Sequence, residues 1–118
     1  MVTNFASELV TRVASLRDNP LYYDLEILTP TRSYYAHKIV LSARSSDWDL
    51  TSSVLDWRDW SDQTCDDLID YIYKDEVKCL VDKTYDDVRV IKLFNAAYFF
   101  SLNELITRCE SFLEESKS

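Results

Sequence analysis

Glycine is absent from all 118 residues. That excludes the glycine-rich phosphate loops, of the dinucleotide and the P-loop kind, because each needs a backbone that only glycine lets approach a phosphate so closely. It also argues against a sandwich or barrel built on tight glycine turns. Histidine occurs once, at His37, and cysteine three times, at Cys65, Cys79 and Cys109. This odd, widely spaced set contains no Cys-x-x-Cys pair, so it is neither a disulfide framework nor a zinc site. The three read as small, buried, reduced side chains of a cytoplasmic protein. Without a nucleophile–base pair, a metal cluster or a phosphate loop, no enzyme and no cofactor is expected.

Positive charge is also scarce. There are 13 Lys and Arg against 21 Asp and Glu, a net charge of −8, and no basic run. Nucleic acids and anionic membrane surfaces both need a cationic face to displace their counterions, so neither is an expected partner. The acidity implies solubility and a preference for basic patches on partners. No apolar run is long enough to span a bilayer. Met1 to Ala6 show no basic stretch leading into an apolar one, so no signal peptide is expected there.

Apolar residues, by contrast, are plentiful: 47% of the chain is hydrophobic, with eight Tyr, five Phe and three Trp. That suffices for one packed domain over 1–118, with its core over about 21–114. Phe5, Leu9, Val13 and Leu16 recur at helical spacing and predict an amphipathic helix over 5–17, capped by Asn4 and stopped by Asn19-Pro20. Residues 23–28 alternate, with Tyr23, Leu25 and Ile27 on the inner side, and predict a half-buried strand. A turn over 29–32 returns the chain as a second strand over 33–36. His37 to Ala43 is apolar enough to predict a buried helix. Ser45-Ser46-Asp47 is a cap signal for a short helix carrying Trp48 and Leu50, and Val54 to Trp57 is a strand candidate.

Three helices follow. The first starts at Ser61 and buries Cys65, Leu68, Ile69 and Ile72. The second starts at Asp86 or Asp87 and buries Val90, Leu93, Phe94 and Ala97. The third carries a Ser101/Glu104 capping box and pairs with the second as a hairpin. Between the first two, Val77, Cys79 and Val81 alternate like a small strand. The order implies an α+β fold, a small mixed sheet covered by a cluster of helices with a C-terminal helical hairpin.

Several blocks, in order, resemble the BTB/POZ family. They are Asp24-Leu25-Glu26-Ile27, then Tyr35-Ala36-His37-Lys38 running on to Ala43-Arg44-Ser45, then Leu68 to Asp75, Leu93 to Leu102, and Leu105 to Leu113 with Cys109-Glu110 inside it. The resemblance covers about 5–114 and implies a non-catalytic protein–protein interaction module. Within the family, Ala43 to Leu50 most resembles the domain of an endosomal ankyrin-repeat scaffold that carries a phosphoinositide-binding finger. Membrane affinity would then belong to other domains. The family's dimerisation helix falls on the first helix, so Phe5, Leu9, Val13, Leu16 and Tyr22 are the expected homodimer interface. Asp24 and Lys38 match the family's charged pocket, here expected to act as an ion pair fixing the hairpin against the helix.

An alternative function under the same resemblance is a substrate adaptor of a cullin-3 ubiquitin ligase. Thr51 to Asp56 lack the hydrophobic-x-Glu motif of cullin binders, which counts against it. A potassium-channel type of tetramer shares the fold as well.

Three further expectations come from the residues themselves. Trp60, with Tyr71 and Tyr73, is the expected partner face, Trp being enriched at binding hot spots, while Trp48 is expected in the core. His37 is expected to start a helix with its ring satisfied by backbone groups. Asp66, Asp67 and Asp70 are expected on a solvated face, where negative charge suits a helix's first turn.

Overall fold

The structure, a computed structural model, describes residues 2–81 and 87–116, with side chains described over 8–81 and 87–115. Three strands form a mixed sheet. The central β1 (Leu25–Leu28) pairs antiparallel with β2 (Ser33–Ala36) and parallel with β3 (Val54–Asp56). Alternation along the strands decides which face is covered: Leu25, Ile27, Tyr34 and Ala36 are buried, while Tyr35 faces out. The turn between β1 and β2 is closed by Thr29, whose backbone N–H and side-chain hydroxyl both donate to the Arg32 carbonyl, each at 2.8 Å.

Helices cover the inner face. They are α1 (Val2–Ser15), α2 (Lys38–Arg44), α3 (Asp62–Lys74), the short α4 (Lys78–Val81), α5 (Asp87–Phe99) and α6 (Asn103–Ser116). The centre is α3. Its expected stripe of Cys65, Leu68, Ile69 and Ile72 is buried, and so are Thr64, Asp67, Asp70, Tyr71 and Tyr73. Ser61 caps it, its hydroxyl accepting the Thr64 N–H. Helices α5 and α6 form the expected hairpin.

The junction of that hairpin differs from the capping box. Ser101 takes the left-handed conformation, φ 56°. Its N–H donates to the Tyr98 carbonyl and the Leu102 N–H to the Ala97 carbonyl. These two bonds are the paired closure of a helix C-terminus, a position that usually holds glycine. Ser101 therefore ends α5, and α6 starts two residues later. In a chain without glycine, the left-handed positions among the described residues fall to Asp18, Tyr22, Asp75 and Ser101. Ser101→Gly removes the Cβ clash and is expected to stabilise the domain by about 1 kcal/mol, read as a melting temperature higher by roughly 3–5 °C.

Other expectations are corrected. The first helix starts at Val2, which puts Asn4 inside it and leaves no cap there. Tyr23 precedes the paired strand and is exposed. The helix after His37 is only half inside: Val40 and Leu41 are buried, whereas Ile39 is 78% exposed. Ser45 caps no helix; its hydroxyl donates to the Phe100 carbonyl and accepts from the Asp47 N–H, and 45–53 run without helix. The stretch read as a small strand at 77–81 forms α4, which buries Cys79 and turns Val81 outward. At Ser45 the Phe100 carbonyl, from 55 residues away, supplied a partner that local spacing cannot reveal.

Candidate protein-interaction surfaces

The two ends of α1 behave differently. At its C-terminal end Val13 and Leu16 pack against the core. Arg17 then locks the segment down. Its guanidinium donates to Asp66 and, at 2.6 Å, to Asp70, and it lies over the Tyr34 ring. One turn earlier the helix is bare: Leu9 is 53% and Val10 59% exposed. Leu9, Val10 and Val13 form one wall of a groove of about 300 Å3 whose other wall is Arg44, Tyr73, Lys74 and Asp75. Of the expected interface residues, Leu9 is therefore available to a second chain, whereas Val13 and Leu16 are largely used within this one. The side chain of Phe5 lies outside the described residues.

Tyr22 is 84% exposed and has φ 61°. A bulky residue held in that conformation is strained. The cause lies in its neighbours. His37 Nε2 donates to the Leu21 carbonyl at 2.8 Å, so Nε2 carries the hydrogen, and Nδ1 lies 2.8 Å from the Tyr73 hydroxyl. That hydroxyl also accepts the His37 backbone N–H. Tyr73 thus joins the start of α2 and the Leu21 carbonyl, through His37, to the groove wall. His37 is satisfied as expected, with a tyrosine sharing the task.

The charged pocket is a different device. Among the described ion pairs none joins Asp24 to Lys38. Instead the Asp24 carboxylate accepts the Lys38 backbone N–H at 2.8 Å. The cap residue of α2, His37, offers no side-chain acceptor. Asp24 therefore supplies from β1's approach the anion that the positive end of α2 calls for. It sits at the surface and fixes hairpin to helix, the structural role expected, by a charge-to-amide bond.

The expected partner face is corrected at two positions. Tyr71 and Tyr73 are 3% and 2% exposed and form no exposed face, Tyr73 contributing only to the wall of the α1 groove. The Tyr71 ring is covered by Arg44 and Arg108, at 5.0 and 5.5 Å, and both guanidiniums bind Asp75. Trp60 is half-buried, its ring centroid 5.7 Å from Phe99 and 6.0 Å from Phe100. Phe100 also stacks on Trp48 and Trp57, both of which are core. Sequence reasoning missed the outer side of α5, where Val88, Ile91, Tyr98 and Phe99 are exposed, Phe99 against Trp60. The signal was present: Val88, Ile91 and Tyr98 recur at helical spacing opposite the buried stripe of Val90, Leu93 and Ala97.

The α3 carboxylates are also corrected. Asp67 and Asp70 are buried, not solvated. Asp67 is bound in a fork by Arg89, at 2.9 and 2.6 Å, and accepts a longer contact from the Cys79 thiol. The cysteines are free and buried. Burial pushes the Cys65 and Cys79 thiols up to about 11 and Cys109 to about 12, from an ordinary 9.0. Such thiols stay protonated and unreactive at neutral pH. Native protein at pH 8 is expected to resist iodoacetamide, with labelling only after denaturation. The unfolded chain releases these protons near 9 and the folded one only near 11–12, so stability is full below pH 9 and falls as pH rises from there. A melting series from pH 7 to 11 checks this sign.

Comparison with known proteins agrees with this architecture. The BTB/POZ domain profile matches residues 13–117, and the chain belongs to that family, whose domains are non-catalytic protein-interaction modules. Human Rabankyrin-5 is 35% identical over 111 residues, covering 91% of this chain, and mouse Rabankyrin-5 is 34% identical over the same length. Kelch repeat and BTB domain-containing protein 1 of vaccinia virus is 27% identical over 124 residues. The chain spans 9% of the length of the Rabankyrin-5 proteins and 20% of the viral one. Among solved structures, the BTB domain of zebrafish PATZ1 superposes with a TM-score of 0.77 over 98% of this chain and 96% of its own, at 20% identity.

Proposed function

We propose that this domain, a single unit over 1–118, forms a two-fold homodimer through the exposed part of α1, and that it recruits other proteins through the outer face of α5. The observation that carries the first half is the pair Leu9 and Val10, more than half exposed on a helix whose far end is clamped to the core. A rigid apolar stripe in water is stabilised by burial, and a two-fold copy is the simplest closed way to bury it. The groove beside it gives the partner's side chains a place to enter. Tyr98 and Phe99, near 70% exposed, support the second half, since aromatics dominate binding energy at interfaces.

Likeness to Rabankyrin-5 over nearly the whole domain supports a place in a larger cytoplasmic scaffold. On that reading the scaffold acts at endosomes, and dimerisation raises the avidity of membrane-binding domains elsewhere in it. The cullin-3 adaptor reading is weaker, because 45–53 forms no helix and 51–56 lacks the Glu that resemblance to cullin binders requires. Light scattering at tens of micromolar tests the proposal. A mass of twice 13.9 kDa is expected, and a monomer at that concentration removes the dimer. Capture of the cullin-3 N-terminal region at micromolar affinity would replace the scaffold reading with the adaptor one.

A further inference from the structure

The helices cover one face of the sheet, and the other carries the alternate residues of each strand. Register places Tyr35, Glu26 and Val54 in one row across that outer face, with Glu26 in the middle. Tyr35 and Val54 are exposed, and the exposed Tyr23 packs edge-on against the Tyr35 ring, centroids 4.7 Å apart. Glu26 is half-buried between its neighbours. Among the described residues no group pairs with its carboxylate. The helices that adjoin 82–86 and the two termini pack on one another and on α3, behind the sheet.

Elsewhere in the molecule a tyrosine beside a carboxylate has an arginine as well. Arg32 lies over the Tyr34 ring at 3.9 Å and binds Asp18. Arg44 and Arg108 lie over the Tyr71 ring and bind Asp75. The set recurs because a planar guanidinium can stack on a ring and donate to a carboxylate at once. At Tyr35 and Glu26 the tyrosine and the carboxylate are in place, and among the described residues the arginine is not. Cross-strand neighbours stand about 5 Å apart, so a guanidinium that reaches Glu26 also reaches the Tyr35 ring.

We infer that the outer sheet face binds one arginine of a partner protein. Its guanidinium donates both arms to Glu26 and stacks on Tyr35, and an aliphatic neighbour rests on Val54. A second copy of this chain is a poor source, because each of its seven arginines already binds a carboxylate of its own subunit. The row shares no residue with the α1 groove or with the outer side of α5, so it stands apart from both surfaces proposed above.

The probe is a short peptide of Ser and Thr with one central Arg flanked by Val. Two controls carry Lys or citrulline in place of the Arg, the second keeping its shape without its charge. Each is titrated into the whole 15N-labelled chain. With the Arg peptide, amide shifts are expected at Tyr23, Glu26, Tyr35 and Val54. The Lys peptide is expected to bind several-fold more weakly and the citrulline peptide not to bind. Glu26→Gln keeps the side chain's size and is expected to weaken the Arg peptide about tenfold, with the melting temperature unchanged. Tyr35→Leu is expected to weaken it about threefold. No shifts at about 1 mM Arg peptide, equal binding of the three peptides, or an affinity unmoved by Glu26→Gln would overturn the inference. So would a lower oligomer mass for Glu26→Gln than for the wild type, which would assign the face to a second copy.

Discussion

Replacing Leu9 with Asp is expected to turn the dimer into monomers that keep their fold. Leu9 is more than half exposed within its own subunit, so the change costs the subunit little. In the dimer it removes two buried leucines, one per copy, and forces two carboxylates toward the seam. The lost apolar burial alone amounts to about 1.5–3 kcal/mol per side chain. Counted twice, that is roughly two to four orders of magnitude in dissociation constant. Light scattering is expected to give half the wild-type mass, with an unchanged far-ultraviolet circular dichroism spectrum. Val13→Asp and Leu16→Asp serve as contrasts. Both residues pack on the subunit's own core, and their loss is expected to lower the melting temperature as well. A Leu9→Asp protein that remains dimeric would place the seam elsewhere.

Asp67→Ala is expected to be the most destabilising single change in the helical cluster. Asp67 is 1% exposed and accepts both arms of the Arg89 fork. Removing it takes from a largely enclosed guanidinium the carboxylate that binds both its arms, at a cost of about 3–5 kcal/mol. In a domain of this size that is a large share of the total stability, and the melting temperature is expected to fall on the order of 10–20 °C. The double variant Asp67→Leu with Arg89→Met tests the cause. A buried pair replaced by apolar groups of similar volume is often neutral, so most of the loss is expected to return. If the double variant is as unstable as the single, the loss comes from the shape of the site and not from the broken ion pair.

The same carboxylate shows where reading the chain stopped. Asp66, Asp67 and Asp70 lie early in a helix, where acid is favourable, and a solvated face follows from that local rule. Yet Cys65, Leu68, Ile69, Tyr71, Ile72 and Tyr73 run round α3 on several sides and leave Asp67 and Asp70 no free face. That pattern was legible. The partners were not: Arg17 and Arg89 come from segments 53 and 22 residues away, and no local spacing connects them. Tyr71 and Tyr73 failed as partner-face residues for the same reason. Arg44, Arg108 and His37 enclose them, and all three arrive from other helices or their approaches.

Short-range chemistry was enough for the elements whose instructions are local. Alternation set the β1–β2 hairpin, a serine hydroxyl set the start of α3, and apolar spacing set the buried sides of α5 and α6. Composition alone set aside phosphate loops, disulfides and zinc, and made acid the dominant surface charge. What only the folded chain decided is which flanks remain open. Leu9 and Leu16 belong to one periodic stripe, yet one meets water and the other meets α3's neighbourhood, because Arg17 pins only one end of the helix. Exposure depends on where distant segments come to rest, and a residue's own spacing carries no record of that.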